Sequence, residues 1–176
     1  MKPVLMIHEF EEKFLDLPLE KYILTFDDGL YSQYRFLEEL KKIKTEKYFF
    51  ISSNIICPEN QKQNDESICC EKAHIKAFNK NYINYMKWSQ IKEIDKVDNC
   101  FIGCHGHSHD IKTADCVECI ILDNRYMVED FSKNLGYLPE YFCYPYNKKT
   151  ILYETILSKK GFKHFYGDER IDIDEI

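Results

Sequence analysis

Strand-like and helix-like segments alternate along most of the chain, and this alternation restricts the possible folds more than any other feature. Short runs rich in branched and aromatic residues have the composition of buried strands, and longer stretches repeat apolar residues at helical spacing. The predicted strands are residues 4–7, 22–26, 46–52, 100–104, 141–144 and 162–166, and the predicted helices are residues 30–43, 70–78, 90–97, 124–135 and 151–160. Such alternation predicts an α/β protein built from parallel βα units.

Length and charge narrow the classes further. A chain of 176 residues, 44% of them apolar, suits one domain, residues 1–176, with a sizeable core. The formal net charge of −6 argues against a nucleic-acid partner. No apolar run approaches the roughly 20 residues that span a bilayer, and the N-terminal apolar run is too short for a signal peptide. We therefore expect a cytoplasmic protein; the sequence leaves its oligomeric state open.

The chain has eight cysteines, an even number that could indicate disulfides. A cytoplasmic location favours free thiols instead. Cys116 and Cys119 form one CxxC pair, but a structural zinc site needs a second pair, and the vicinal Cys69 and Cys70 rarely serve as one. We expect the cysteines to act mainly as small, buried apolar residues.

Two adjacent carboxylates, Asp27 and Asp28, follow the predicted strand over 22–26. Successive strand residues point to opposite faces, but where a strand ends and the backbone turns, both can face one cleft. Two carboxylates at so short a distance repel each other unless a cation or a proton separates them. In barrels of parallel strands, chemistry takes place at this end of the strands. His8, His105 and the Pro145–Tyr146 pair also follow predicted strands.

His105 and His109 stand four residues apart, so on one helical or turn-like segment they share a face. With Asp28 they form a set of two histidines and one carboxylate that suits one divalent ion and leaves positions open for water and substrate. Zn is the expected ion, and Co, Fe or Ni are possible. Asp27, if not a ligand, is positioned to be a general base. His107 points away from the shared face and is expected to be dispensable.

These residues resemble the motifs of the NodB-homology polysaccharide deacetylases, carbohydrate esterase family four. Residues 25–29 (TFDDG) match the first motif without substitution, and residues 105–109 (HGHSH) match the second. The resemblance implies that Asp27 is the catalytic base and that Asp28, His105 and His109 bind the metal.

Residues 142–147 (FCYPYN) are similar to the third motif of that family, in which the backbone N–H after the proline helps to hold the oxyanion. That role falls to Tyr146. The resemblance covers most of the chain and implies a distorted (β/α) barrel that removes an N-acetyl or related N-acyl group from a sugar or glycan intermediate.

Two departures from the family pattern bear on activity. Many members have in the third motif an Arg that pairs with the catalytic Asp, whereas Cys143 occupies that position here. Arg170 could replace it, although we expect Arg170 to form a salt bridge at the C-terminal surface. The chain also lacks the late motif whose His protonates the leaving amine.

His8 could supply that proton, because the first and last strands of a closed barrel are neighbours. A histidine that is merely hydrogen-bonded at a strand end is the competing interpretation. His164 lies within a predicted strand and is expected to be packed or exposed.

One other type of site is disfavoured, and two alternatives stay open. An HxHxH string also occurs in amidohydrolase-type and PHP-type phosphoesterase sites, although there it follows an early strand. The chain could be a metal-dependent amidohydrolase acting on a non-sugar amide. It could also be a carbohydrate-binding relic of the fold with weakened catalysis, which Cys143 and the absent late motif suggest.

Overall fold

The computed structural model describes residues 2–176, and its strands form one parallel sheet curled into a half-barrel. The sheet has seven strands in the order β6-β5-β4-β3-β2-β1-β7. Their bounds are β1 Val4–Ile7, β2 Ile23–Phe26, β3 Lys47–Ile51, β4 Cys100–Cys104, β5 Tyr141–Cys143, β6 His164–Tyr166 and β7 Ile171–Asp172. The α/β class and the barrel type expected from the sequence are confirmed.

α-Helices connect β2 to β3, β3 to β4, β4 to β5 and β5 to β6. Their bounds are α1 Tyr31–Arg35, α2 Leu37–Leu40, α3 Cys70–Phe78, α4 Trp88–Ile94, α5 Val117–Leu135 and α6 Ile151–Lys160. Helices α3 and α6 have the predicted bounds. Thr150 caps the start of α6 by accepting from the Tyr153 N–H, and Gly161 ends it with a left-handed φ of 109°.

Three helix predictions need correction. The helix expected over 30–43 is two short helices, because Phe36 leaves the helical region with ψ of 18° and packs its ring 5.3 Å from that of Phe10. Helix α5 begins seven residues earlier than predicted, where the Cys116 thiol accepts from the Cys119 N–H. Helix α4 begins at Trp88, two residues before the predicted start, and ends at Ile94, three residues before the predicted end.

The parallel register brings the C-terminal ends of the central strands to one edge of the sheet. Ile7 pairs with Phe26, Phe26 with Phe49, and Ile51 with Cys104. The residues that follow these strands therefore emerge side by side. The last strand, β7, pairs with β1, so the two ends of the chain meet at this part of the sheet.

Aromatic side chains pack against one another along the central strands. The rings of Phe26 and Phe49 stack at 4.6 Å, and both are fully buried. Gly103 lies so close to the Phe50 ring that a Cβ atom there would be 2.5 Å from it. Glycine at this position lets β3 and β4 pair up to the edge that carries the polar residues.

All eight cysteines are free thiols, as expected. Cys57, Cys100, Cys104 and Cys143 are buried, whereas Cys119 is exposed. Among residues 2–176, no helix is both long and apolar enough to cross a bilayer.

Candidate active site

The two carboxylates that follow β2 diverge. Asp27 continues the strand, with its N–H bonded to the Ile7 carbonyl at 2.9 Å. Asp28 then adopts a left-handed φ of 70°, and Gly29 follows with φ of 73°. This turn sends the two side chains to different partners, although both are buried, with 2% of each residue exposed. The repulsion expected between adjacent carboxylates is thus relieved by separate cationic or polar partners.

Asp28 lies against the two histidines that the sequence predicted as its partners. Its Oδ1 is 3.3 Å from Nε2 of His105 and 3.0 Å from Nε2 of His109. Despite these contacts, Oδ1 is buried and accepts no hydrogen bond with acceptable geometry. A buried carboxylate oxygen without a donor is costly, and a divalent ion among these three side chains would satisfy it. The donor types fit the expected ion, although in this structure it is His74, and not His105, that shares with Asp28 and His109 a set of donor atoms within 4.8 Å of one another.

The second motif is held by a residue that sequence analysis did not find. Asp123 on α5 accepts hydrogen bonds from the N–H of His107 at 2.8 Å and of Ser108 at 2.9 Å, and from the Ser108 hydroxyl at 2.6 Å. Gly106 makes room for it, since a Cβ there would be 3.1 Å from Asp123 Oδ2. The loop that carries His105 and His109 is thereby anchored to a long helix.

The side chain of His107 points away from Asp28. Its Nδ1 lies 2.9 Å from the Ser53 hydroxyl and 3.1 Å from Asp130 Oδ2. His105 instead directs Nδ1 to the Cys143 carbonyl at 2.9 Å, which leaves its Nε2 facing Asp28. The alternation of the three histidines agrees with the arrangement expected from the sequence.

A third histidine, His74 on α3, also reaches Asp28. Its Nε2 forms a 3.0 Å hydrogen bond with Asp28 Oδ2, and its ring stacks on that of His109 with centroids 4.4 Å apart. Nitrogen and oxygen donors of Asp28, His74 and His109 lie within 4.8 Å of one another. No motif marks His74 in the sequence, because α3 belongs to the segment between the first two motifs.

Arg170 pairs with Asp27, and the expectation of a surface salt bridge is wrong. Its guanidinium is buried and binds Asp27 with both ends, at 2.7 Å to Oδ1 and 2.8 Å to Oδ2. It also donates to the Thr25 hydroxyl at 3.0 Å and to Asn147 Oδ1 at 3.1 Å. This residue lies just before β7, and the pairing of β7 with β1 carries it to the strand ends.

The Arg170 pair determines the charge of Asp27. Burial alone would raise the pKa of Asp27, but the Arg170 charge and hydrogen bonds outweigh burial and hold the pKa below its ordinary value. Cys143 also contacts Asp27, with its thiol 3.5 Å from Oδ2, but a thiol cannot supply the positive charge that an arginine would. The pKa of Asp28 is lowered as well. Burial would raise its pKa, but the neighbouring histidines, His109 first, lower it well below the ordinary value.

Tyr146 lies at the mouth of the site with its ring half-exposed. It has a left-handed φ of 56°, and Asn147 follows with φ of 54°. The Tyr146 ring contacts that of His109, with centroids 4.7 Å apart. Asp28 and His109 also have positive φ. Of the six non-glycine residues with positive φ among residues 2–176, four therefore surround this one site. Such strain is concentrated at functional sites.

His8 follows β1, the strand next to β2, and borders Asp28 from that side of the sheet. Its ring, the Asp28 carboxylate and the Cys70 thiol have donor atoms within 4.8 Å of one another. The amide of Gln33 bonds the carbonyls of His8 at 2.7 Å and Asp27 at 2.6 Å, which ties the ends of β1 and β2 together. His164, by contrast, is exposed on β6 and stacks on Tyr141.

Two clefts are lined by side chains that neighbour Asp28, although Asp28 itself lines neither. One, of about 470 Å³, includes His74, His109 and Tyr146 in its wall together with the exposed ring of Phe78. The other, of about 350 Å³, includes His8.

The family model described as polysaccharide deacetylase matches residues 16–165. That span includes Asp27, Asp28, His105, His109 and Tyr146, but neither His8 nor Arg170. No curated protein sequence matches the chain.

Solved structures share the fold. IcaB from Ammonifex degensii superposes with a TM-score of 0.66 at 20% identity, covering 97% of this chain and 84% of that one. A de-N-acetylase from Aggregatibacter actinomycetemcomitans gives 0.69 at 13% identity, covering 97% and 92%. A CE4 family pseudoenzyme from Bacillus anthracis gives 0.52 at 14% identity, covering 94% and 43%. At these identities the likeness concerns the fold.

Proposed function

Because this chain belongs to the polysaccharide deacetylase family, we propose that it hydrolyses the N-acetyl, or a related N-acyl, group of a sugar or glycan intermediate. Water would add to the amide carbonyl, and the C–N bond would break to release acetate and a free amine. The observation that supports this most is the buried, unpaired Oδ1 of Asp28 between two imidazoles, beside an ionised Asp27. A carbohydrate-binding relic would have no need to keep both features.

Asp28, His105 and His109 would hold one divalent ion, with Zn expected and Co, Fe or Ni possible. That ion would polarise the amide carbonyl and lower the pKa of the attacking water. The protein holds the three donors in place through neighbours: the Cys143 carbonyl fixes the ring of His105, and Asp123 fixes the loop between the histidines. Such outer contacts orient ligands before binding.

Asp27 would accept the proton of the attacking water. The fork from Arg170 leaves it ionised, and so in its basic form, throughout the neutral range. A depressed pKa makes a carboxylate a weaker base. In return, the ion pair with Arg170 keeps Asp27 deprotonated and fixes the orientation of its carboxylate. Arg170 would thereby serve in the place of the third-motif Arg that this chain lacks.

The backbone N–H of Tyr146 would stabilise the negative charge on the carbonyl oxygen. The consecutive left-handed residues Tyr146 and Asn147 set the direction of this peptide, and Asn147 is held by Arg170 at 3.1 Å. A donor fixed before the reaction needs no reorganisation as the charge develops. One arginine would therefore order both the base and the oxyanion-binding turn.

His8 would protonate the leaving nitrogen. Its ring borders Asp28 within 4.8 Å and lines its own cleft, away from Tyr146 and His109. Hydrogen-bond reach to the reacting nitrogen is the first requirement for an acid, and the closeness of His8 to Asp28 supports this role.

A substrate panel tests the proposal. Metal-loaded protein is incubated with N-acetylglucosamine oligomers, with formylated counterparts and with simple non-sugar amides, and acid and amine are both quantified. We expect equal amounts of acetate and amine from the sugar substrates. Turnover of the non-sugar amides alone would indicate an amidohydrolase of another class, and binding of the oligomers without turnover would indicate a relic.

A further inference from the structure

The two oxygens of the Asp28 carboxylate have different surroundings. Oδ1 faces His105 and His109 without a hydrogen bond, whereas Oδ2 forms a 3.0 Å hydrogen bond with His74 Nε2. A free carboxylate is symmetric and its two oxygens exchange by rotation. Here one oxygen is engaged, and the other is left for a cation.

His74 has a second partner that fixes its ring. Its Nδ1 lies 3.2 Å from the hydroxyl of Tyr85, which is fully buried. An ionised carboxylate only accepts hydrogen bonds, so Nε2 of His74 is the donor in its hydrogen bond with Asp28 Oδ2. In the neutral ring Nδ1 is then the acceptor, and the Tyr85 hydroxyl donates to it.

The segment around Tyr85 is bonded to the turn that follows Asp28. Tyr85 forms an antiparallel bridge with Leu30, and the Met86 N–H donates to the Gly29 carbonyl at 2.9 Å. The relay from Tyr85 through His74 to Asp28 therefore starts and ends on backbone that is already linked. The exposed residues of α3 take no part in these hydrogen bonds.

We propose that Tyr85 and His74 are positioning residues that orient Asp28, so that its Oδ1 faces the ion together with His105 and His109. The proposal rests on the function proposed above, because it assumes an ion at these three residues. Ligating carboxylates are commonly hydrogen-bonded in this way, and such outer-shell partners contribute 10–100-fold to metal affinity.

Direct ligation by His74 is the competing arrangement. The donor atoms of His74, Asp28 and His109 are close enough for it. However, the hydrogen bond of His74 to Oδ2 has good geometry, whereas the contacts of His105 and His109 with Oδ1 do not. The protonated Nε2 of His74 thus points to the carboxylate, and the nitrogens of the other two rings remain for the ion.

Zinc affinity and the number of bound imidazoles test the proposal on the full chain. Zinc dissociation constants are measured by competition with a chelator for the wild type, His74→Ala, His74→Gln and Tyr85→Phe, with His164→Ala on exposed β6 as the control. We expect His74→Ala to raise the Kd by about 10–100-fold. Glutamine can still donate to Oδ2, so His74→Gln should recover part of the loss, and Tyr85→Phe should fall between His74→Ala and the wild type.

X-ray absorption at the zinc edge supplies the second readout. The proposal predicts two imidazoles in the wild type and in His74→Ala. Three imidazoles in the wild type, with one lost in His74→Ala, would make His74 a ligand and overturn the positioning role. An unchanged Kd in folded His74→Ala and His74→Gln would also overturn it. Failure of the underlying function would look different, because His105→Ala and His109→Ala would then keep their zinc.

Discussion

Arg170 binds both carboxylate oxygens of Asp27, at 2.7 and 2.8 Å, although 143 residues separate the two in the chain. The pair is almost completely buried, with 1% of the Arg170 side chain and 3% of the Asp27 side chain exposed. Removing one partner of such a pair leaves an uncompensated charge in the interior. Arg170 therefore determines both the ionisation and the direction of the proposed base.

Replacing Arg170 should shift the pH dependence of the reaction. Arg170 lowers the pKa of Asp27, so Arg170→Lys, which keeps the charge but not the fork, should raise that pKa. The base is then protonated at a higher pH, and the acid limb of the kcat/KM profile moves to higher pH. Arg125→Lys, at an exposed ion pair on α5, is the matched control and should leave the profile unchanged. An unshifted acid limb in Arg170→Lys would mean that Asp27 does not carry that limb.

Asp123 should stabilise the protein through the histidine loop. Asp123→Asn places an amide opposite donors from His107 and Ser108, and we expect a loss of about 1.5–3 kcal/mol in the free energy of unfolding. Asp130→Asn makes the same change on the same helix, at a partly exposed pair with His107, and should cost less than about 1 kcal/mol. Urea denaturation measures both. Equal losses would show that Asp123 contributes no more than a surface pair.

His8→Ala should slow amides more than esters. An amine must be protonated to leave, whereas a phenoxide leaves readily without an acid. Rates on an N-acetyl sugar and on an aryl acetate are compared for the wild type and the variant, with His164→Ala as the exposed-histidine control. Equal losses on the two substrates would mean that His8 only orders the site.

The histidines of the second motif should differ in their effect on metal content. His105→Ala and His109→Ala should lose the stoichiometric ion, because each ring faces Asp28 Oδ1. His107→Ala should keep it, because its ring faces Ser53 and Asp130. Metal analysis after dialysis distinguishes the three variants. Retention of the ion by either of the first two would remove that residue from the ligand set.

Local signals allowed much of the fold to be predicted from the sequence. The bounds of α6 follow from Thr150 and Gly161, whose capping contacts depend on neighbours within four residues. The break at Phe36 was missed because its cause is a packing contact with Phe10, 26 residues away. The strand β7 has two residues, too few to show any periodicity.

The site residues that lie within a sequence motif could be predicted, whereas those that only the tertiary structure brings to the site could not. Asp27 and Asp28 can be recognised from the sequence because they are adjacent and follow a predicted strand. His74, Asp123 and Arg170 are single polar residues without a pattern around them, and only the tertiary structure brings them to the motifs. The expectation for Arg170 failed because its burial depends on the pairing of β7 with β1.

Asp27→Asn, assayed at matched metal occupancy, tests the account most directly. The variant keeps the shape of the side chain but cannot accept the proton, and metal content and acetate release are measured on the same samples. We predict stoichiometric metal and a rate on the N-acetyl sugar lower by about 10²–10⁴-fold. Loss of the metal would make Asp27 a ligand, and an undiminished rate with full metal occupancy would contradict its role as the base.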